Sequence, residues 1–255
     1  MEKIDLGSQF LHCHIENHVM TVRIDRVDRR NSMTQAMYRG VKRAAILADK
    51  NSQVDILLLT GSEDVFAVGG DMSGAADGEH LDQEFDPTDN FPFRHLERCS
   101  KAVIAAVNGL CYAGGLNLLL YSDLSIVSDR AKFRAPELIR GIPDAWIGTR
   151  LASYVGAGMA KYWLYTAEVF DAEQARQAGL TGKVVAHEDF EKEVQATIQA
   201  VLRNGPKSRA IIKKDMNSHL SEPDPDIFKQ AIQSEELKEG TTAFLEKRPA
   251  VWPRD

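Results

Sequence analysis

The strongest limit on the fold comes from short apolar runs followed by glycine: "VDILLLTG" at 54–61 and "AVIAAVNG" at 102–109, with "DLSIVSD" at 123–129 as a third strand-like segment. The first two are unbroken rather than alternating, and they read as buried strands. Turns and short helical stretches separate them. This alternation predicts crossover units in which helices cover a largely parallel sheet, an α/β arrangement. Upstream, "FLHCHIEN" and "HVMTVRID" alternate about a turn near Glu16-Asn17. The following "MTQAMYRGVKRAAILADK" places Met33, Met37, Val41, Ala44 and Ala45 on one helical face, with Asn31 and Ser32 as candidate N-caps. The acidic, Pro-containing stretch that ends at Asp89 is expected to be mobile.

From Asp171 the pattern changes to a helix, the short strand "KVVA" and four helical segments: "EDFEKEVQATIQAVLR", "PKSRAIIKKDMNSHL", "PDIFKQAIQSEEL" and a last one through "TTAFLEK". Their apolar stripes must be covered, either by the core or by a neighbouring subunit. The chain has 255 residues, 44% hydrophobic and 27% charged, enough for a sizeable core in an ordinary globular protein. No run approaches the roughly 18 apolar residues that span a bilayer, and "MEKIDLGSQF" lacks the apolar centre of a signal peptide. A cytoplasmic or matrix-like location without membrane contact is therefore expected. The three cysteines, Cys13, Cys99 and Cys111, are odd in number and lack metal-ligand spacing, as suits a reducing compartment. A net charge of −6 weighs against a nucleic-acid partner.

Several familiar motifs fail. "GAGMAKYW" at 156–163 has Lys161 where a third glycine would stand and no strand directly before it. There is no phosphate-binding G-x-x-x-x-G-K-[ST] loop, and "GDMSG" has the wrong offset for a nucleophile elbow. His12 and His14 share one strand face but lack a third ligand, so an ordinary surface role outweighs a metal site.

What survives is a pair of glycine loops. Gly69-Gly70-Asp71 follows the strand that ends near Phe66, and Ala113-Gly114-Gly115 opens the helix "LNLLLYSD". Backbone N–H groups at a helix start are free, and glycine lets a ligand approach them closely. Side by side, one N–H from each loop would form an oxyanion hole. From spacing alone, two tight strand-to-helix turns remain the plainer reading.

The same residues resemble a known family. "VFAVGGDM" is similar to the F-x-A-G-x-D-[LIM] loop of the crotonase superfamily, also called the enoyl-CoA hydratase/isomerase family. "AAVNGLCYAGGLNLLLYSDLSIVSDRAKF" resembles its A-x-[NV]-G-x-x-x-G-G-G-x-x-L-x-x-x-x-D segment. "RAPELIRGIPDAWIGTRL", "IDRVDRRNSMT" and "AFLEKRPAVW" resemble further segments in the same order, over nearly the whole chain. The resemblance implies a spiral of ββα units over residues 1–190 holding the acyl-CoA site, and a helical trimerisation region over 191–255. It also implies assembly as a trimer or a dimer of trimers. It assigns to Gly70 and Gly114 the N–H groups that hold a thioester oxygen, with Asp71 structural rather than catalytic.

The resemblance also names the acids. In hydratases of the family the position of Asn117 carries a glutamate; the asparagine here cannot act as a base. Glu137 matches the second family glutamate, and Asp144 falls where some isomerases and a dehalogenase carry a catalytic aspartate, or else caps the helix beginning at Ala145. A carboxyl in an apolar pocket with Ile142 and Trp146 would have a raised pKa. One carboxylate suffices to carry a proton between carbons, so the expected reaction shifts a double bond from a 3-enoyl-CoA to a 2-enoyl-CoA, with Glu137 as base and Asp144 sharing the work. The alternatives are hydration or a related lyase reaction, in which Asn117 positions water, and an inactive acyl-CoA-binding or scaffold protein. An RNA-binding role, known in one relative, fits the acidic balance worst. The resemblance places CoA near Arg29, Arg30, Lys247 and Arg248, implies no metal or redox cofactor, and makes 73–94 the expected lining of the acyl tunnel.

Overall fold

The computed structural model describes residues 2–72, 90–232 and 234–254. The chain opens with strands β1 (Glu2–Ile4), β2 (Leu11–Glu16) and β3 (Val19–Ile24). The β2–β3 turn is Asn17-His18, both with positive φ, the conformation that matches the twist of a two-residue hairpin. Helix α1 (Gln35–Lys50) follows, and Thr34 caps it by accepting the Met37 N–H at 3.1 Å. Asn31 and Ser32, the expected caps, are used otherwise. The buried Asn31 side chain accepts from Arg26 N–H and donates to the Val65 carbonyl, clamping the first turn of the chain to the next strand pair.

Three β–β–α turns then stack: β4 (Ile56–Thr60), β5 (Val65–Ala67) and α2 (Phe93–Arg98); β6 (Ala102–Val107), β7 (Leu110–Tyr112) and α3 (Gly114–Leu120); β8 (Leu124–Ser128), β9 (Lys132–Arg134) and α4 (Ala145–Thr166). The first strand of each turn joins a sheet ordered β1-β2-β3-β4-β6-β8-β11, parallel from β3 onward. The second joins a smaller sheet ordered β10-β9-β7-β5. Strand β10 (Phe170–Asp171), helix α5 (Ala172–Gln177) and strand β11 (Lys183–Val185) close the two sheets. The sequence reading did not separate the smaller sheet: its strands are two or three residues long, too short to show a period.

The apolar runs are unbroken because both faces of the large sheet are covered. Leu57 and Leu59 face the main core, whereas Ile56, Leu58, Ile104 and Ile126 meet Phe190, Val194, Ile198 and Val201 of helix α6 (Phe190–Leu202). Helix α7 (Pro206–Ser218) leaves Ile211, Ile212 and Met216 more than half exposed. The third tail segment ends early, as α8 (Pro225–Ile232), and its last residues join the fourth in α9 (Glu235–Leu245), because Ser234 accepts the Leu237 N–H and starts that helix. The "GAGM" stretch lies inside α4, which breaks at Gly156 (φ 76°). Among the described residues no helix is long and apolar enough to cross a membrane.

Arg150 on α4, 1% exposed, pairs with Glu97 of α2, donates to the Ser221 carbonyl and lies over the Tyr121 ring. It thereby ties α2 and α4 to the link between α7 and α8. Glu97→Ala leaves that guanidinium buried without its counter-ion, and the expected loss is about 3–5 kcal/mol of unfolding free energy by urea denaturation.

Candidate active site

The loop after β5 is held by its backbone. Met33 N–H donates to the Gly69 carbonyl at 2.8 Å, and Asp71 N–H donates to the Met33 carbonyl at 2.9 Å. These bonds bracket Gly70, whose own N–H meets no acceptor among the described residues. Asp71 Oδ2 accepts from Arg26 Nη2 at 2.7 Å in a buried ion pair, so this aspartate is tied into the scaffold. Asn108 holds the turn that leads into β5, accepting from Gly61 N–H and donating to the Glu63 and Val65 carbonyls.

The loop after β7 turns at Ala113, which has φ 52° and ψ −126° and precedes the first helical residue, Gly114. Gly114 N–H has no intrahelical acceptor by its position. The two loops touch. A Cβ on Gly69 would lie 2.5 Å from Ala113 Cβ and 3.2 Å from Gly114 N, and one on Gly115 would lie 2.2 Å from the Ala67 carbonyl oxygen. Gly70 and Gly114 line one cavity of about 270 Å³. Two unpaired N–H groups on one cavity wall can hold a single oxygen as negative charge develops on it.

Asn117, Glu137 and Asp144 line the same cavity. Glu137 is 5% exposed, and neither carboxylate oxygen has a hydrogen-bond partner among the described residues. Burial first, and the neighbouring Asp144 second, push its pKa well above the usual carboxylate value. Asp144 has more support. Its Oδ1 accepts from the Trp146 and Ile147 N–H groups at 2.8 and 3.1 Å, and its Oδ2 accepts from Asn117 Nδ2 at 2.9 Å. Burial raises its pKa too, but all three hydrogen bonds favour the ionised form. A proton shared by the pair therefore resides on Glu137. Asp144 is the cap of α4 and the partner of Asn117 at once. The fully buried Asn117 keeps an unpartnered Oδ1.

The apolar wall is mostly aromatic and was legible in sequence only in part. Tyr38, Phe91, Phe93 and Phe228 line the cavity, with Phe91 stacked on Phe93 at 5.2 Å and edge-on to both Tyr38 and Phe228. Tyr38 neighbours Met37 on the apolar side of α1, the one signal that could have found it. Burial and the two carboxyls raise its phenol pKa far beyond the usual value. Ile142 lines the cavity as expected, whereas Trp146 packs behind it against Phe93 and Tyr121. Of the expected tunnel segment 73–94, Phe91 and Phe93 reach the cavity; 73–89, including the stretch expected to be mobile, lies outside the described residues.

Arg29 and Arg30 are exposed beside the first turn, and Lys247 is exposed after α9. Arg248 is engaged: it makes paired hydrogen bonds to Glu239 and a further one to Glu246. His12 pairs with Asp25 at 3.0 Å, and among the described residues no three His, Cys, Asp or Glu side chains form a metal-holding group.

Residues 14–255 match the family model described as enoyl-CoA hydratase/isomerase. The chain is 34% identical over 245 residues to crotonyl-CoA hydratase of Syntrophomonas wolfei, covering 92% of this chain and 94% of that protein. It is 30% identical over 243 residues to short-chain-enoyl-CoA hydratase of Clostridium acetobutylicum, with 91% and 93% covered. The structure of carnitinyl-CoA hydratase from Mycobacterium avium superposes with a TM-score of 0.83 at 29% identity, over 96% of this chain and 98% of that one. The chain thus has the crotonase fold and belongs to the enoyl-CoA hydratase/isomerase family of acyl-CoA enzymes.

Proposed function

We infer that the protein shifts a double bond in the acyl group of a CoA thioester, from 3-enoyl to 2-enoyl. One observation carries this reading: of the acids lining the cavity, Glu137 is the one whose carboxyl has no hydrogen-bond partner. The N–H groups of Gly70 and Gly114 hold the thioester oxygen. Ionised Glu137 takes a proton from the carbon next to the thioester, and the electron pair spreads to that oxygen as a dienolate. The same carboxyl then returns the proton two carbons further out, leaving the double bond beside the thioester. Asp144, committed to the helix cap and to Asn117, keeps its charge near Glu137 and thereby keeps that base strong.

The names of the relatives favour hydration, the second reading. A specific atom supports it: the unpartnered Oδ1 of Asn117 can accept from a water that Glu137 activates. In both readings CoA is the substrate carrier and no further cofactor takes part. Its phosphates are assigned to Arg29, Arg30 and Lys247, Arg248 being held by acids of its own chain. The exposed Ile211, Ile212 and Met216 suit self-association through the helical tail, as a trimer or a dimer of trimers.

Proton NMR in D2O separates the two reactions. A 3-enoyl-CoA is expected to yield the 2-enoyl product without a 3-hydroxyacyl thioester; a 3-hydroxyacyl product from a 2-enoyl-CoA would establish hydration instead.

Glu137→Gln is expected to abolish turnover while raising stability. A carboxyl with a raised folded-state pKa stabilises the fold below its unfolded value, near 4.5, and loses that contribution as pH rises through the folded value. Thermal unfolding should therefore show the glutamine variant more stable than wild type at pH 8, with the gap closing toward pH 4.5. Wild-type kcat/KM should rise with pH as Glu137 ionises.

Gly70→Pro removes one N–H and is expected to lower kcat/KM by at least about 100-fold. Gly70→Ala keeps the N–H and is the control, since a Cβ there meets nothing closer than Tyr38 Cε2 at 4.0 Å.

A further inference from the structure

Arg140 lines the same cavity as Glu137 and the two glycines. It is half-buried. Its polar contact there is a weak one, Nη1 to the Met72 thioether sulfur at 3.1 Å, and its guanidinium lies 3.6 Å above the Phe244 ring of α9. No carboxylate pairs with it among the described residues. Asp71 is taken by Arg26, Asp144 by Asn117 and the α4 cap, and Glu137 forms no ion pair with it. Burial, and then the like charge of Arg134, both disfavour the cation, opposed by the field of Glu137. A partly desolvated guanidinium without an acid carries a cost that an arriving anion offsets.

We propose that Arg140 is a specificity residue that binds a carboxylate at the far end of the acyl group, making the substrates short dicarboxylic acyl thioesters of CoA. This rests on the acyl-CoA reading above and names the acyl class for it. A planar guanidinium takes a carboxylate through two parallel hydrogen bonds. The stacking on Phe244 and the thioether contact leave it positioned to do so. Anchoring the chain at both ends, the thioester oxygen on the glycine N–H groups and the carboxylate on Arg140, fixes which carbons face Glu137. A phosphate of CoA has the same charge, so the test must distinguish the two sources.

Isothermal titration calorimetry on the whole protein with CoA, valeryl-CoA and glutaryl-CoA does so, because the two acyl groups share five carbons and differ in the terminal carboxylate. Glutaryl-CoA is expected to bind wild type at least about tenfold more tightly than valeryl-CoA. In Arg140→Leu the preference should vanish or reverse, in Arg140→Lys part of it should survive, and CoA itself should bind all three proteins alike. Equal affinities for the two thioesters in wild type would overturn the proposal, whatever the variants do. An equal loss for all three ligands in Arg140→Leu would assign the cation to a CoA phosphate, and an unchanged preference in that variant would place the carboxylate elsewhere; either result overturns it. Binding of both thioesters without preference refutes this inference alone, whereas binding of neither refutes the acyl-CoA reading with it.

Discussion

Everything in the site depends on two backbone loops lying in contact. The loop after β5 and the loop after β7 approach until Gly69 abuts Ala113 and Gly115 abuts the Ala67 carbonyl, where a side chain on either glycine would collide. Parallel pairing of β5 with β7 sets the approach, and the two asparagine clamps hold it. Asn31 and Asn108 both donate to the Val65 carbonyl, so the turns of the spiral before and after β5 are pinned to one point at the start of that strand. Ala113 completes the geometry at a cost: its φ of 52° and ψ of −126° lie in a region that non-glycine residues occupy only under restraint, typically about 1–3 kcal/mol of strain. The bond from its N–H to the Arg134 carbonyl holds it there, and the result is a Gly114 N–H facing the cavity rather than the helix.

The scaffold neutralises its buried charges one by one. Arg26 pairs with Asp71, Arg150 with Glu97, and Lys213 with Asp123 at 2.8 Å. A buried ion left unpaired weakens the fold, so such pairs are the expected outcome. Glu137 and the half-buried Arg140 have no such partner among the described residues, and both line the cavity that Gly70 and Gly114 also line. On the function proposed above, these two positions are where the fold gives up stability for binding and proton transfer.

The sequence made much of this legible and for identifiable reasons. Unbroken apolar strands announce a sheet covered on both faces, and paired glycines announce backbone approach. Asn117, Glu137 and Asp144 meet in one cavity because the helix start at Gly114 and the turn after β9 both point into it. The aromatic wall was legible only in part: Phe91 and Phe93 fall in the expected tunnel segment, whereas Tyr38 and Phe228 come from α1 and α8, far apart in sequence and without a shared pattern. Arg140 was hidden for another reason: a surface arginine and a pocket arginine look alike until its partners can be counted. The helix cap was misplaced because Asn31 and Ser32 are chemically suitable, yet the chain commits Asn31 to a long-range clamp and starts the helix three residues later at Thr34.

Asn117 is the residue on which the choice of reaction turns, and it acts through charge as much as through shape. A neutral amide donates to Asp144 and lets that carboxylate stay ionised as the cap of α4. The anion then raises the proton affinity of Glu137 across the cavity. A carboxyl at position 117 would withdraw the donor from Asp144 Oδ2 and add a like charge among two buried acids. The three would have to share protons, as closely spaced buried carboxyls do, and Asp144 would be the next to lose its charge. On the proposed reaction, the asparagine thus removes a potential second base and, by the same change, sets the strength of Glu137.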